Sequence, residues 1–131
     1  MADEVVEGGW PQEEIPGDAF LFLRIHQNWL SKDGSVVPGF FKNIPPDGGM
    51  SCDWNKYSTS EEARQRAKEP AQNGVLTILA SGIRSLPDQR LEHAPIPTNR
   101  AHSELFGEKT TEVRLKLTRL SSWAIAVAPK S

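Results

Sequence analysis

Apolar and polar positions alternate along this chain in short blocks rather than in long stripes. Ala19-Phe-Leu-Phe-Leu-Arg-Ile25 is an almost continuous apolar run, the pattern of a central strand covered on both faces. Gly74-Val-Leu-Thr-Ile-Leu-Ala80 repeats the pattern and predicts a second buried strand. Met50-Ser-Cys-Asp-Trp54 alternates, as a half-buried strand does, because successive side chains point to opposite faces. Arg90–Ala94 and Ser103–Phe106 read as further short strands, and Phe40-Phe41-Lys42 as a brief one.

Two stretches switch to helical spacing. Ser58-Thr-Ser-Glu-Glu62 holds two overlapping capping boxes, Ser58 with Glu61 and Thr59 with Glu62, and Pro70 ends the helix formers that follow. This predicts a helix over 58–69. Its apolar face is only Ala63 and Ala67, so it belongs on the surface. Val113, Leu117, Leu120 and Ala124 form one stripe and predict a second helix over about 110–125. The expected fold is α+β: a single compact domain over 18–131, with a mixed sheet of short strands and two helices. Residues 1–17 are acidic and rich in Gly and Pro, and read as a flexible arm that Trp10-Pro11 can tie to the body.

Composition narrows the class. No apolar run approaches the ~20 residues that span a bilayer. The acidic N-terminus has no basic, apolar leader pattern. Cys52 is the single cysteine, which excludes an internal disulfide and a zinc site built on several thiolates, and points to the cytoplasm. Cys52 itself is expected to be a small buried residue. Residues 1–80 hold 7 Lys+Arg against 12 Asp+Glu, whereas residues 81–131 hold 8 against 5. An anionic ligand therefore suits the C-terminal half, although the excess is too small for a dedicated duplex binder.

The densest chemistry is His93-Ala-Pro-Ile-Pro-Thr-Asn-Arg-Ala-His102-Ser103, with two of the chain's three histidines. Pro95 and Pro97 deny the helical conformation to the residues before them, so an extended, stiff segment is expected. His26 lies two residues from Arg24, on the same face of the first strand. Arg24 in an apolar strand needs a partner, Asp53 or Glu104, or else it lines a pocket. Were the strand to run beside the loop, Arg24, His26, His93, Asn99, Arg100, His102 and Ser103 would frame one Arg/His pocket. Guanidinium forks and imidazole donors suit phosphate or carboxylate. The competing reading is structural: Asn99 caps a turn, and the histidines bond backbone carbonyls. The histidine spacing matches no metal motif, and no phosphate-cradling glycine loop is present. No cofactor is implied.

Three segments in order carry a resemblance: Leu23-Arg-Ile-His-Gln-Asn-Trp29 with Asp33-Gly34; Phe41-Lys42 with Met50-Ser51 and Asp53; and His93-x-Pro95-x-Pro97-x-Asn99-x-Ala101-His102 leading to Gly107-x-Lys109-Thr110. Over roughly residues 19–125 the chain resembles a group of small bacterial proteins with no assigned activity. The resemblance implies a bacterial, stand-alone, single-domain cytosolic protein.

Three functions remain open from the residues. The leading expectation is a binding or accessory module whose Arg/His pocket holds an anionic group: a nucleotide, a nucleic-acid phosphate or a partner's carboxylate. The second is an enzyme of phosphoryl or nucleotidyl chemistry, with His93 and His102 as acid and base. The third is a structural subunit that meets protein partners through Trp10, Trp29 or the Pro-rich loops.

Overall fold

A computed structural model describes residues 9–45 and 49–130. The strands are β1 (Phe20–His26), β2 (Met50–Trp54), β3 (Asn73–Leu79), β4 (Arg90–His93), β5 (His102–Phe106) and β6 (Ser122–Ile125). The helices are α1 (Ser60–Gln65), α2 (Ala80–Arg84) and α3 (Thr111–Leu120). The strands form one sheet in the order β4-β5-β2-β1-β3-β6. Every pairing is antiparallel, not mixed as expected. The α+β class stands, with three helices rather than two.

One sheet face carries the core. Leu21, Leu23 and Ile25 of β1 point into it beside Leu76 and Ile78 of β3, Cys52 and Trp54 of β2, and Leu105 of β5. Val113 and Leu117 of α3, Ile83 of α2 and the Phe40-Phe41 pair close this layer. The opposite face bears Phe22, Arg24 and His26, and α1 crosses it through the fully buried Ala63. β1 is thus central, but its burial alternates and Phe20 is 43% exposed. An uninterrupted apolar spelling does not require two dry faces.

Local chemistry explains the boundaries. Thr59 uses its capping box with Glu62, while Ser58 bonds Thr59 O instead. α1 ends at Gln65, short of the expected stop, because the backbone tightens at Arg66 and Ala67. α3 ends at Leu120, where Ser121 turns extended. Residues 122–125 then pair with β3 instead of continuing the helix, and Leu120, expected in the apolar stripe, is 41% exposed. Gly74 makes this pairing fit, since a Cβ there would lie 2.6 Å from Ile125 O. The expected strand at Phe40 is a single 3-10 turn, Pro38–Phe40.

The N-terminal segment is partly built into the body. Ile15 is 2% exposed in the core, and residues 10–13 lie against β4 and the turn after β2. Trp10 stays at the surface. Residues 1–8 of the expected arm lie outside the described residues.

Candidate functional site

The residues expected to share one pocket serve different local structures. Arg24 Nη1 donates to Asp53 Oδ2 at 2.9 Å and to Ala63 O at 3.2 Å. Arg66 adds a second guanidinium at 3.2 Å, and Asn99 Nδ2 donates to Asp53 Oδ1 at 2.7 Å. Asp53 is 1% exposed, so this is a buried carboxylate satisfied from within the chain. Asn99 Oδ1 also accepts from Ala101 N–H, fixing the turn that Ile96 and Asn99 close by reciprocal backbone bonds. The proline segment is therefore a tight turn with Pro97-Thr98 at its corner, not an extended span. Ser103, fully buried, donates to Ala101 O on the core face.

His26 does not meet the loop. Its Nδ1 accepts from Asn28 N–H at 3.0 Å, capping the 3-10 turn Gln27–Trp29, and its Nε2 faces Gln72 Oε1 at 3.0 Å. Phe22, Asp53 and His102 lie in line across β1, β2 and β5. His26 is four residues further along β1, roughly 13 Å at ordinary strand rise, and two strands removed from His102. The single three-histidine pocket is corrected accordingly. Among the described residues no group of three His, Cys, Asp or Glu is placed to hold a metal.

His93 and Arg100 do converge, on Glu13 of the chain itself: His93 at its main-chain N–H and Arg100 near its carboxylate. His93 is 1% exposed. Its Nε2 bonds Arg100 O at 2.7 Å and its Nδ1 accepts Glu13 N–H at 3.0 Å. These partners assign the neutral ring with hydrogen on Nε2. Gln12 Nε2 donates to His93 O at 2.8 Å. The Glu13 carboxylate takes Lys56 Nζ at 2.6 Å and the Tyr57 hydroxyl, with Arg100 Nη2 at 3.8 Å. The Lys56 bond, then the Tyr57 bond, hold Glu13 below its ordinary carboxylate range, and Lys56 is raised in return. Arg100 lies between the Trp10 and Tyr57 rings, 4.8 and 4.1 Å from their centroids, and Tyr57 stacks on His93. Charge and π-faces here form one continuous stack.

A groove of about 310 Å³ adjoins this cage, lined by Gln12, His93, Ala94, Pro95, Ile96, His102 and Glu104. His102 Nδ1 bonds Ala94 O at 2.8 Å, leaving Nε2 toward Ser51 Oγ at 3.3 Å. His93 has both ring nitrogens engaged, so the expected pairing of His93 and His102 as acid and base has no free partner on the His93 side. Trp29 is partly buried, packs edge-on against Phe40 and has Lys42 over its ring. Cys52 is buried and burial pushes its thiol up, away from reactivity.

Sequence reasoning missed Gln12, Glu13, Lys56 and Tyr57. Lys56-Tyr57 beside Trp54 is a cation next to aromatics, the one local signal available. The 80-residue separation between Glu13 and His93 carries no signal at all. The chain matches no family model, no curated protein and no solved structure. No helix among the described residues is long and apolar enough to cross a membrane.

Proposed function

We propose that this protein is a binding module whose Arg/His site takes the carboxylate of an acidic peptide segment. The supporting observation is Glu13: one extended stretch of chain is read through its main-chain N–H by His93 and through its carboxylate by Lys56, Tyr57 and Arg100. This is how peptides are generally recognised, backbone and anchor together. Trp10, Gln12 and Glu14 lie exposed on either side, so residues 10–13 are laid on the body by a few polar bonds and belong to the easily opened end of the stability range. A tether of a few residues gives them a millimolar effective concentration, which a partner must exceed. A cytoplasmic, bacterial setting belongs to the same proposal, resting on the lone buried cysteine and the segment order.

The test is the full-length Trp10→Ala/Glu13→Ala variant, which keeps Ile15 in the core. Acetyl-Gly-Trp-Pro-Gln-Glu-amide should shift the backbone NMR signals of Lys56, Tyr57 and Arg100. Shifts with inorganic phosphate or AMP, and none with the peptide, would make the ligand a phosphate instead. Silence from all three probes would end the proposal.

A further inference from the structure

The cage is filled by Glu13, but the groove beside it is not filled by Gln12. Gln12 contributes one wall and spends its amide on His93 O. Beyond that bond the groove runs along Pro95 and Ile96 to His102 and Glu104. Pro95 is buried and Ile96 is 39% exposed, giving the groove an apolar wall, and Glu104 is the one acidic residue in its lining. The Glu104 carboxylate has no hydrogen bond or ion pair among the described residues, and one of its oxygens lies beside Gly49, 2.9 Å from where a Cβ there would sit. Glu92 stands directly opposite it across β4 and β5; its own counter-ion is Arg90, at 3.4 Å. Like charges facing each other across a strand pair repel, so a cation arriving here meets one unpaired carboxylate and a second nearby.

Resting on the binding reading above, we infer that this groove is a specificity subsite for the residue immediately before the anchoring acid, and that it takes a long cationic side chain. The preferred partner segment then carries Arg-Glu or Lys-Glu where this chain has Gln12-Glu13. The apolar stem of such a residue packs on Pro95 and Ile96 while its head reaches the carboxylate, the usual division of labour in long basic side chains. Arg should exceed Lys, because its fork can meet both carboxylate oxygens. The chain's own segment is thus a partial ligand: its acid is correct and its preceding residue leaves the subsite unused. This makes it a displaceable occupant rather than a permanent one.

The experiment uses the same full-length Trp10→Ala/Glu13→Ala variant with three peptides: acetyl-Gly-Trp-Pro-Arg-Glu-amide, its Gln counterpart and its Glu counterpart. The expected order is Arg over Gln over Glu, with at least a tenfold gain of Arg over Gln and new shifts at Ile96, His102 and Glu104. Adding Glu104→Gln should erase that gain, bringing the Arg and Gln peptides to equal affinity. In the intact chain, Gln12→Arg should raise Tm, and the rise should vanish in the Gln12→Arg/Glu104→Gln double variant. Equal binding of the Arg and Gln peptides overturns the subsite and leaves the carboxylate site standing. No binding of any peptide overturns both. A Gln12→Arg gain that survives Glu104→Gln overturns the ion pairing.

Discussion

At the residue scale, Asp53 is the side chain on which the most local structure depends. Two guanidiniums and the Asn99 amide converge on it at 1% exposure. Removing one member of a buried ionic set strands the others, which costs more than the set contributed net. Asp53→Asn should therefore lower unfolding free energy by about 3 kcal/mol in urea titrations, and should disorder the 94–101 turn. Asn99→Ala should do less, because the two arginines still neutralise the acid. Lys109 offers a second residue-level test. It is 2% exposed, donates to Gly107 O at 2.6 Å and Leu105 O at 3.3 Å, and burial lowers it to about 8. Unfolded, the ammonium keeps its proton to about 10.4. Between those values the unfolded chain binds more protons, so this residue's contribution to stability rises with pH. Relative to Lys109→Met, the wild-type protein should gain up to about 3 kcal/mol from pH 8 to 10.5.

At the element scale, the sheet's two ends behave differently. β6 is a short edge strand with three of its four residues exposed, held where Gly74 lets it approach. Gly74→Ala places a Cβ against Ile125 O and the Trp123 ring, at 2.6 and 2.8 Å. The backbone oxygen cannot yield cheaply, so β6 should detach, at about 2 kcal/mol, with a red shift in Trp123 fluorescence. α1, by contrast, depends on its start. Thr59→Ala removes the bond to Glu62 N–H and should cost about 1 kcal/mol by thermal unfolding. The apolar spellings of β1 and β3, and the capping boxes ahead of α1, announced these elements. The strand at β6 was hidden because Val113, Leu117, Leu120 and Ala124 keep helical spacing past the point where β3 captures the chain.

At the scale of the whole molecule, the N-terminal segment links regions far apart in sequence: the core through Ile15, β4 through His93 and the turn after β2 through Lys56 and Tyr57. Its hold is pH-dependent with a definite sign. Glu13's folded pKa is lowered from 4.5 by Lys56 and then Tyr57. The stabilisation is therefore complete above 4.5 and is lost as pH falls through the depressed value. Hydrogen exchange at the Glu13 amide should accelerate selectively below pH 4.5, relative to the β1 amides, and Glu13→Gln should abolish that selectivity. An unchanged ratio across the range would show that the carboxylate does not hold the segment.

The same contrast separates what one-dimensional order specifies from what folding adds. Apolar spacing and caps act over a few residues, so the α+β class, the central β1, β3, and a start of α1 at Ser58 or Thr59 were legible in the chain, and the fold chose Thr59. So was the need of Arg24 for a partner, because an arginine amid apolar residues is costly wherever it ends up. Which carboxylate answered it was not legible. Nor was the separation of His26 from His93 and His102, since strand order β4-β5-β2-β1-β3-β6 sets that distance. The carboxylate cage belongs entirely to this second kind: Glu13, Lys56, His93 and Arg100 become neighbours only when the turn after β2 and the edge of β4 receive the N-terminal segment. Electrostatic and hydrogen-bond chemistry is short-ranged in space and blind to sequence separation, so only the closed tertiary structure could bring those groups together.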